Sequence, residues 1–413
     1  MPHYDVLIVG SGHAGAQAAI ALRQAGFEGA LAIVGDETEP PYERPPLSKD
    51  YFSGEKDFER ILLRPLAFWA ERHVDLLAGR RVVLVDSESR SVQTAAGETL
   101  SYGRLIWAAG CAPRRLTCPG ADLAGVHVVR TRADADAIMA AMPTTEAVAI
   151  IGGGYIGLEA AAVLSKAGKT VTVVEAQSRV LARVAAEPLS RFYETQHRAH
   201  GVDIRLDAAL EEILGDGGRV TSVRLADGAV IPAQTVIVGI GVAPAVEALK
   251  AEGAAGDNGV DVDAFCRTSL PGVYAIGDCA AHVNLYGDGR RLRVESVQNA
   301  VDQATTAARH IMGAEQPYDA VPWFWSNQYD LRLQTVGLST GYDAVVVRGE
   351  IESSAFSLIY LRDGEVIALD CINSTKDYVQ GRKLVVGRAK LDHALVADAT
   401  RPLNDPGLRL SER

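Results

Sequence analysis

Two hydrophobic patterns divide the chain. Before Pro322, runs such as Tyr4-Asp5-Val6-Leu7-Ile8-Val9, Ala30-Leu31-Ala32-Ile33-Val34-Gly35 and Ala147-Val148-Ala149-Ile150-Ile151 are apolar nearly throughout and end on glycine or an acid, the pattern of buried strands. Beyond it, residues 331–336, 344–347, 356–360 and 366–369 read with a period of two between glycine-bearing turns, which predicts a small antiparallel sheet packed by later helices. Within the first part, residues 1–113 read as strand, glycine turn, a helix over 14–25 and a second strand. A proline-rich loop follows at 40–46, and the stretch ends in Leu105-Ile106-Trp107-Ala108-Ala109-Gly110. A second strand-helix-strand series covers about 145–241, with a hairpin turn at Asp227-Gly228 and a similar ending, Thr235-Val236-Ile237-Val238-Gly239-Ile240-Gly241. Residues 268–278 read as a short buried strand closing on Asp278, and the simplest topology returns that strand to the first domain.

The turns after two of these runs carry the candidate chemistry. Gly10-Ser11-Gly12-His13-Ala14-Gly15 and Gly152-Gly153-Gly154-Tyr155-Ile156-Gly157 repeat one motif, each between an apolar run and a small-residue helix. The first glycine permits the tight turn, the second lets backbone approach a pyrophosphate, and the third lets helix and strand pack closely. The pyrophosphate then lies against the amides of a helix N-terminus. An acid at the end of the next strand should hold a ribose hydroxyl, and Asp36 and Glu175 stand at those positions. Together the two motifs imply two dinucleotide sites. A carboxylate at Glu175 repels a 2′-phosphate, which favours NADH, although Arg179 and Arg183 lie close by in sequence.

Composition narrows the partners. A net charge of −11 argues against nucleic acid, whose phosphates need a basic surface. No apolar run reaches the roughly 20 uncharged residues of a membrane helix. With the first strand starting close to Met1, a cytoplasmic protein is expected. Cysteines 111, 118, 266, 279 and 371 are odd in number and form no C-x-x-C pair, so neither a disulfide framework nor a zinc or iron-sulfur site is indicated. No metal site is expected.

The chain resembles the FAD-dependent NADH:ferredoxin reductases, the putidaredoxin reductase, rubredoxin reductase and biphenyl-dioxygenase reductase group. The resemblance runs end to end. It rests on the two glycine motifs, Tyr42-Glu43-Arg44-Pro45-Pro46-Leu47-Ser48-Lys49, Ala108-Ala109-Gly110 with Pro113-Arg114, Gly157-Leu158-Glu159, Gly277-Asp278, Glu295-Ser296-Val297-Gln298-Asn299-Ala300 and Pro322-Trp323-Phe324-Trp325-Ser326. It implies an α/β, glutathione-reductase-like fold with two Rossmann-type domains and a small C-terminal α+β domain. The FAD-binding domain would span 1–113 and 245–321, the NAD-binding domain 114–244 and the C-terminal domain 322–413. For FAD the resemblance implies Gly10, Gly12, His13, Ala14 and Gly15 at the pyrophosphate and Asp36 at the adenosine ribose. It adds Val82 at the adenine, Arg44 and Arg130 near phosphates or adenine, Ala109 and Gly110, Asp278 at the ribityl chain, Ser296 and Val297 at a helix start, and Trp325. For NAD it implies Gly152, Gly154, Tyr155, Ile156, Gly157, Glu159, Glu175, Arg183 and Gly241. Lys49 would sit beside the flavin ring, paired with Glu159, as the catalytic residues.

That resemblance implies hydride transfer from NADH to FAD, then single electrons to a two-iron ferredoxin that supplies an oxygenase. Disulfide reductases of the wider fold need a cysteine pair, and the loop from Pro41 to Lys49 has no cysteine. Reduced flavin should therefore pass electrons to an outside acceptor. Rubredoxin or monodehydroascorbate reduction, or a redox-switched binding protein like apoptosis-inducing factor, are the alternative readings. Ala108-Ala109-Gly110 departs from the family's A-T-G by one hydroxyl. Basic residues at Arg290-Arg291-Leu292-Arg293, and at Arg382-Lys383 with Arg388 and Lys390, are candidate docking positions for an acidic ferredoxin.

Overall fold

The uninterrupted apolar runs pair in parallel. In the computed structural model, which describes residues 1–409, His3–Val9 lies between Leu31–Val34 and Thr99–Trp107, and Val74–Leu77 extends the sheet beyond Leu31–Val34. Every residue from Val6 to Val9 and from Leu31 to Val34 is buried, as strands covered on both faces require. The strand Val273–Ala275 returns to this sheet and pairs in parallel with Leu105, Ile106 and Trp107. Ser91–Thr94 and Val82–Asp86 continue it antiparallel. The helices His13–Gln24 and Val297–Ile311 cover one face, packing Ala14, Ala18, Ala21, Ala300, Ala304 and Ala307 into one core with Ile8 and Ile33. Alanine at these positions lets the helices approach closely.

A second parallel sheet has the order Asp203–Arg205, Thr170–Val174, Ala147–Ile151, Thr235–Val238 and Val126–Val128. The helix Tyr155–Lys166 follows its central strand as His13–Gln24 follows the central strand of the first sheet. Leu210–Asp216, Arg219–Leu225 and Val230–Pro232 form a separate antiparallel sheet, with the turn at Asp227-Gly228 between the last two.

After Pro322 an antiparallel sheet forms as the sequence implies, but Ala355–Arg362 and Glu365–Ile372 are buried almost throughout and do not alternate, because both faces of the sheet are covered at its centre. Five strands run in the order Trp323–Gln328, Leu331–Gly337, Glu365–Ile372, Ala355–Arg362 and Ala344–Glu350, and the helix Thr375–Val386 covers the sheet. Trp323–Gln328, an aromatic run without clear alternation, was not among the expected strands. Leu331, Leu333, Phe356, Leu358 and Tyr360 from this sheet share one core with Ile150, Leu158, Phe192 and Tyr193.

By chain contact the molecule divides into two units. One comprises Met1–Arg44, Asp57–Ala112 and Ala243–Phe324, and the other Pro45–Lys56, Pro113–Val242 and the chain from Trp325 onward. Among the described residues, no helix is long and apolar enough to cross a membrane, and no group of three or more His, Cys, Asp or Glu side chains could hold a metal ion.

Candidate active site

In the first unit the chain turns sharply at Gly10. Its φ is +114°, and a Cβ there would lie 2.3 Å from the Ala108 carbonyl oxygen, so no other residue fits. At Gly15 a Cβ would lie 1.9 Å from the Gly10 oxygen, which sets helix against strand. Gly12 differs. A Cβ there would meet nothing nearer than Arg44 Nε at 3.7 Å, and as N-cap of His13–Gln24 it offers no side chain to the helix amides. This open, uncapped helix start suits an anionic pyrophosphate.

Several expected residues gather around that start. Gly277 approaches so closely that a Cβ would lie 3.1 Å from Ala14 Cβ, which brings half-buried Asp278 alongside. The Gly277 amide donates to Gln303 Oε1 at 2.7 Å on the helix Val297–Ile311, whose N-cap Ser296 accepts from the Asn299 amide at 3.0 Å. Ala109 and Gly110 follow the strand Thr99–Trp107, against which Gly10 turns. Asp36 is exposed just after Leu31–Val34, and Val82 begins the edge strand of the sheet. Arg44 forms an ion pair with Glu37 at 2.5 Å, and the Tyr42 hydroxyl donates to the same carboxylate. Glu37 was missed from sequence; the signal was a second acid directly after Asp36.

In the second unit Gly152 repeats the turn, with φ +107° and a Cβ position 2.4 Å from the Gly239 oxygen. Gly157 packs on the Gly152 oxygen as Gly15 does on Gly10. Gly154 is the open position: a Cβ would meet nothing nearer than the Gly239 oxygen at 3.9 Å, and the helix Tyr155–Lys166 has no side-chain cap. Ile156 is exposed beside it, while burial and the nearby Asp370 carboxylate push the Tyr155 phenol well up, so that it stays neutral. Glu175 accepts from the Gly153 amide at 2.7 Å through one oxygen and from the Gln177 amide at 2.8 Å through the other. The carboxylate thus braces the glycine turn. The exposed Arg183 guanidinium lies over Gly241, where a Cβ would be 3.7 Å from Nη2. Arg179 is committed elsewhere, to the carbonyls of Ala182 and Ala185 and to Ser190 Oγ. Arg130 precedes the helix Arg132–Ala141, and its amide donates to Asp134.

The charged centre of this unit is a pair. Lys49 Nζ lies 2.6 Å from Glu159 Oε2, with side chains 13% and 3% exposed. Glu159 sits on the first turns of Tyr155–Lys166, five residues past Gly154, and Lys49 follows the short helical turn Pro45–Ser48, which the two prolines favour by fixing φ. Ser48 Oγ also donates to Oε2 at 2.7 Å, and Ser326 Oγ donates to Oε1 at 2.6 Å. Both carboxylate oxygens are therefore satisfied, which a charge at this depth requires. Ser48 and Ser326 were not expected. Trp325 is half-buried and, by strand period, points to the face opposite Ser326.

Cysteine provides no redox pair. All five are free thiols, four of them buried. Burial pushes Cys111 up to about 12 even with Arg293 Nη1 3.2 Å from its sulfur, and Cys279 and Cys371 also to about 12. None supplies the thiolate that dithiol exchange needs. The basic run is locally neutralised: Arg290 faces Asp288, Arg291 faces Asp261, and Arg293 lies 2.9 Å from Glu295.

Two glycine turns, each at an open helix start on a parallel sheet, together with the buried Lys49–Glu159 pair and no dithiol, define an oxidoreductase built for two dinucleotides. Residues 4–304 match the pyridine nucleotide-disulphide oxidoreductase model and residues 323–406 the reductase C-terminal model, and the chain belongs to the pyridine nucleotide-disulphide oxidoreductase family. It is 61% identical over 406 residues to the 5,5'-dehydrodivanillate O-demethylase ferredoxin reductase subunit of a Sphingobium species, covering 98% of each chain. Among solved structures it resembles the ferredoxin reductase for the CYP199A2 system of Rhodopseudomonas palustris, at TM-score 0.93 and 39% identity over 97% of this chain and 98% of that one. It resembles putidaredoxin reductase in covalent complex with putidaredoxin equally well, at TM-score 0.94 and 37% identity over 98% of this chain and 97% of that one.

Proposed function

We propose that this chain is an FAD-dependent NADH:ferredoxin reductase that supplies electrons to an oxygenase. The reading rests on the buried Lys49–Glu159 pair in a loop where a disulfide reductase carries cysteines. The Gly10 cradle with Asp36, Arg44 and Asp278 would hold FAD, and the Gly152 cradle with Glu175 and Arg183 would hold NADH. FAD, when bound, accepts two electrons together and releases them singly. NADH gives up a hydride and becomes NAD⁺; two ferredoxins each take one electron, and one proton is released. Lys49 stabilises the negative charge that arrives with the hydride, and Glu159 keeps the ammonium in place. No general base is required. The expected domains are 1–113 with 245–321 for FAD, 114–244 for NADH, and 322–413 as the third body.

The choice of NADH is supported by Arg179, whose bonds to two carbonyls and a hydroxyl leave it poorly placed to take a 2′-phosphate. A two-iron ferredoxin as acceptor is supported by the relatives, among them reductases of p-cumate and anthranilate dioxygenase systems. Unpaired cysteines and NADH as donor fit a cytoplasmic location. The test is an anaerobic titration of the yellow protein with NADH, followed by two-iron ferredoxins and rubredoxin as acceptors of electrons passed to cytochrome c. Strong stimulation by a two-iron ferredoxin is expected. Stimulation by rubredoxin alone, or by no protein acceptor, would contradict the reading.

A further inference from the structure

Behind Glu159 a line of buried polar side chains continues, which neither dinucleotide cradle uses. Gln328 Nε2 donates to Ser326 Oγ at 3.2 Å, Gln328 Oε1 lies 2.8 Å from His197 Nε2, and His197 Nδ1 lies 3.0 Å from the Tyr329 hydroxyl. Tyr329 in turn is 3.2 Å from Ser165 Oγ, one turn and a half further along the helix that carries Glu159. Ser326, Gln328 and His197 are at most 1% exposed. Placing three polar groups at that depth is costly unless each bond is made in the right sense.

The sense is set at one end. A carboxylate only accepts, so the Ser326 hydroxyl must give its proton to Glu159, and its oxygen can then only accept from the Gln328 amide. The Gln328 oxygen therefore faces His197, which must carry its proton on Nε2 and accept from Tyr329 at Nδ1. A protonated imidazole would oppose this order, and burial pushes His197 down to about 4, keeping it neutral. The amide in the middle cannot pass a proton on, which makes the line an orienting device and not a conduit.

We propose that Ser326, Gln328 and His197 form a positioning relay that holds Glu159 turned on Lys49, with the charge at residue 159 dictating the tautomer of His197. The role in turnover rests on the reductase reading above; the tautomer coupling does not. In Glu159→Gln, Lys49 and Ser48 still donate to the oxygen they face, which turns the new amide nitrogen toward Ser326. Every bond then reverses: Ser326 donates to the Gln328 oxygen, Gln328 donates to His197 Nε2, and His197 carries its proton on Nδ1 and donates to Tyr329.

Long-range ¹H–¹⁵N correlation of the histidine-labelled holoprotein reads this directly, with the His197 signal assigned by its loss in His197→Phe. The native protein should show neutral Nε2–H at pH 7, Glu159→Gln should show Nδ1–H, and adding Gln328→Leu should make the His197 tautomer independent of residue 159. If Glu159→Gln fails to fold, Ser326→Ala serves, and the expected result is a mixture of tautomers. Nδ1–H in the native protein, or an unchanged tautomer in the variant that is read, would overturn the coupling. In stopped flow, His197→Phe should slow flavin reduction about three- to tenfold without raising KM for NADH, and His197→Gln, which keeps a donor near the Nε2 position, should restore it. Unchanged reduction in His197→Phe would overturn the positioning role. A Lys49→Ala variant with normal flavin reduction would instead defeat the reductase reading of the pair while leaving the tautomer response intact.

Discussion

The two glycine-motif helices share a backbone and differ in what they bury. Gly10 answers to Gly152, Gly15 to Gly157, and in the same register half-buried Gln17 answers to Glu159. Both copies use a positive-φ glycine against a facing carbonyl and leave an open, uncapped helix start. Only the second helix carries a buried charge in its opening turns, and only there does a distant loop deliver a lysine to meet it. A cradle for phosphate is thus a property of backbone and can be repeated. A buried lysine–carboxylate pair needs side chains brought from far along the chain, and of the two helices only the second has one.

The sharpest way to break this comparison is to block each turn separately. Gly10→Ala should yield protein without flavin, and Gly152→Ala should yield yellow protein that NADH no longer reduces at micromolar concentration; absorbance of the purified variants separates the two. Either change forces a Cβ within 2.4 Å of a backbone oxygen, so a variant of either kind that behaved as native would contradict the shared geometry. Next in size, Lys49→Ala leaves Glu159 held by two serines and no cation, and should cost about 3 kcal/mol in urea unfolding, the low end for a broken buried pair because the serines remain. Gln17→Ala should cost less than about 0.5 kcal/mol in the same measurement, since no ion pair is lost. An effect between these two is expected at Glu175. Glu175→Ala should shift the NADH to NADPH preference about tenfold toward NADPH, measured as the ratio of kcat/KM values, because a repelling carboxylate is removed.

Much of the fold could be read from local pattern because local pattern causes it. Val6 to Val9 and Leu31 to Val34 are apolar because both faces of their sheet are covered, whereas the segments around Phe356 to Leu361 and Val366 to Ile372, which read with a period of two, are also buried on both faces. The first and third glycines of each motif could also be read, since only glycine tolerates those turns. What lay hidden depends on contacts without a sequence spacing. Ser48 and Glu159 are 111 residues apart and Ser326 and Glu159 are 167 apart, so nothing local links them. The strand Trp323–Gln328 was obscured by its aromatic side chains, and with it the position of Ser326 and Gln328 on one face. Glu37 went unseen because Asp36 already satisfied the motif, yet Glu37 is the acid that Arg44 and Tyr42 grip.

The charge at Lys49 is the point on which the two helices part, and stopped-flow reduction of the bound flavin by NADH tests it most directly. Lys49→Ala, purified with its full complement of FAD, should be reduced about 10²-fold more slowly than the native protein, in line with the loss of one preorganised charge at a reacting centre. Reduction at the native rate, with flavin content unchanged, would contradict the role assigned to the Lys49–Glu159 pair.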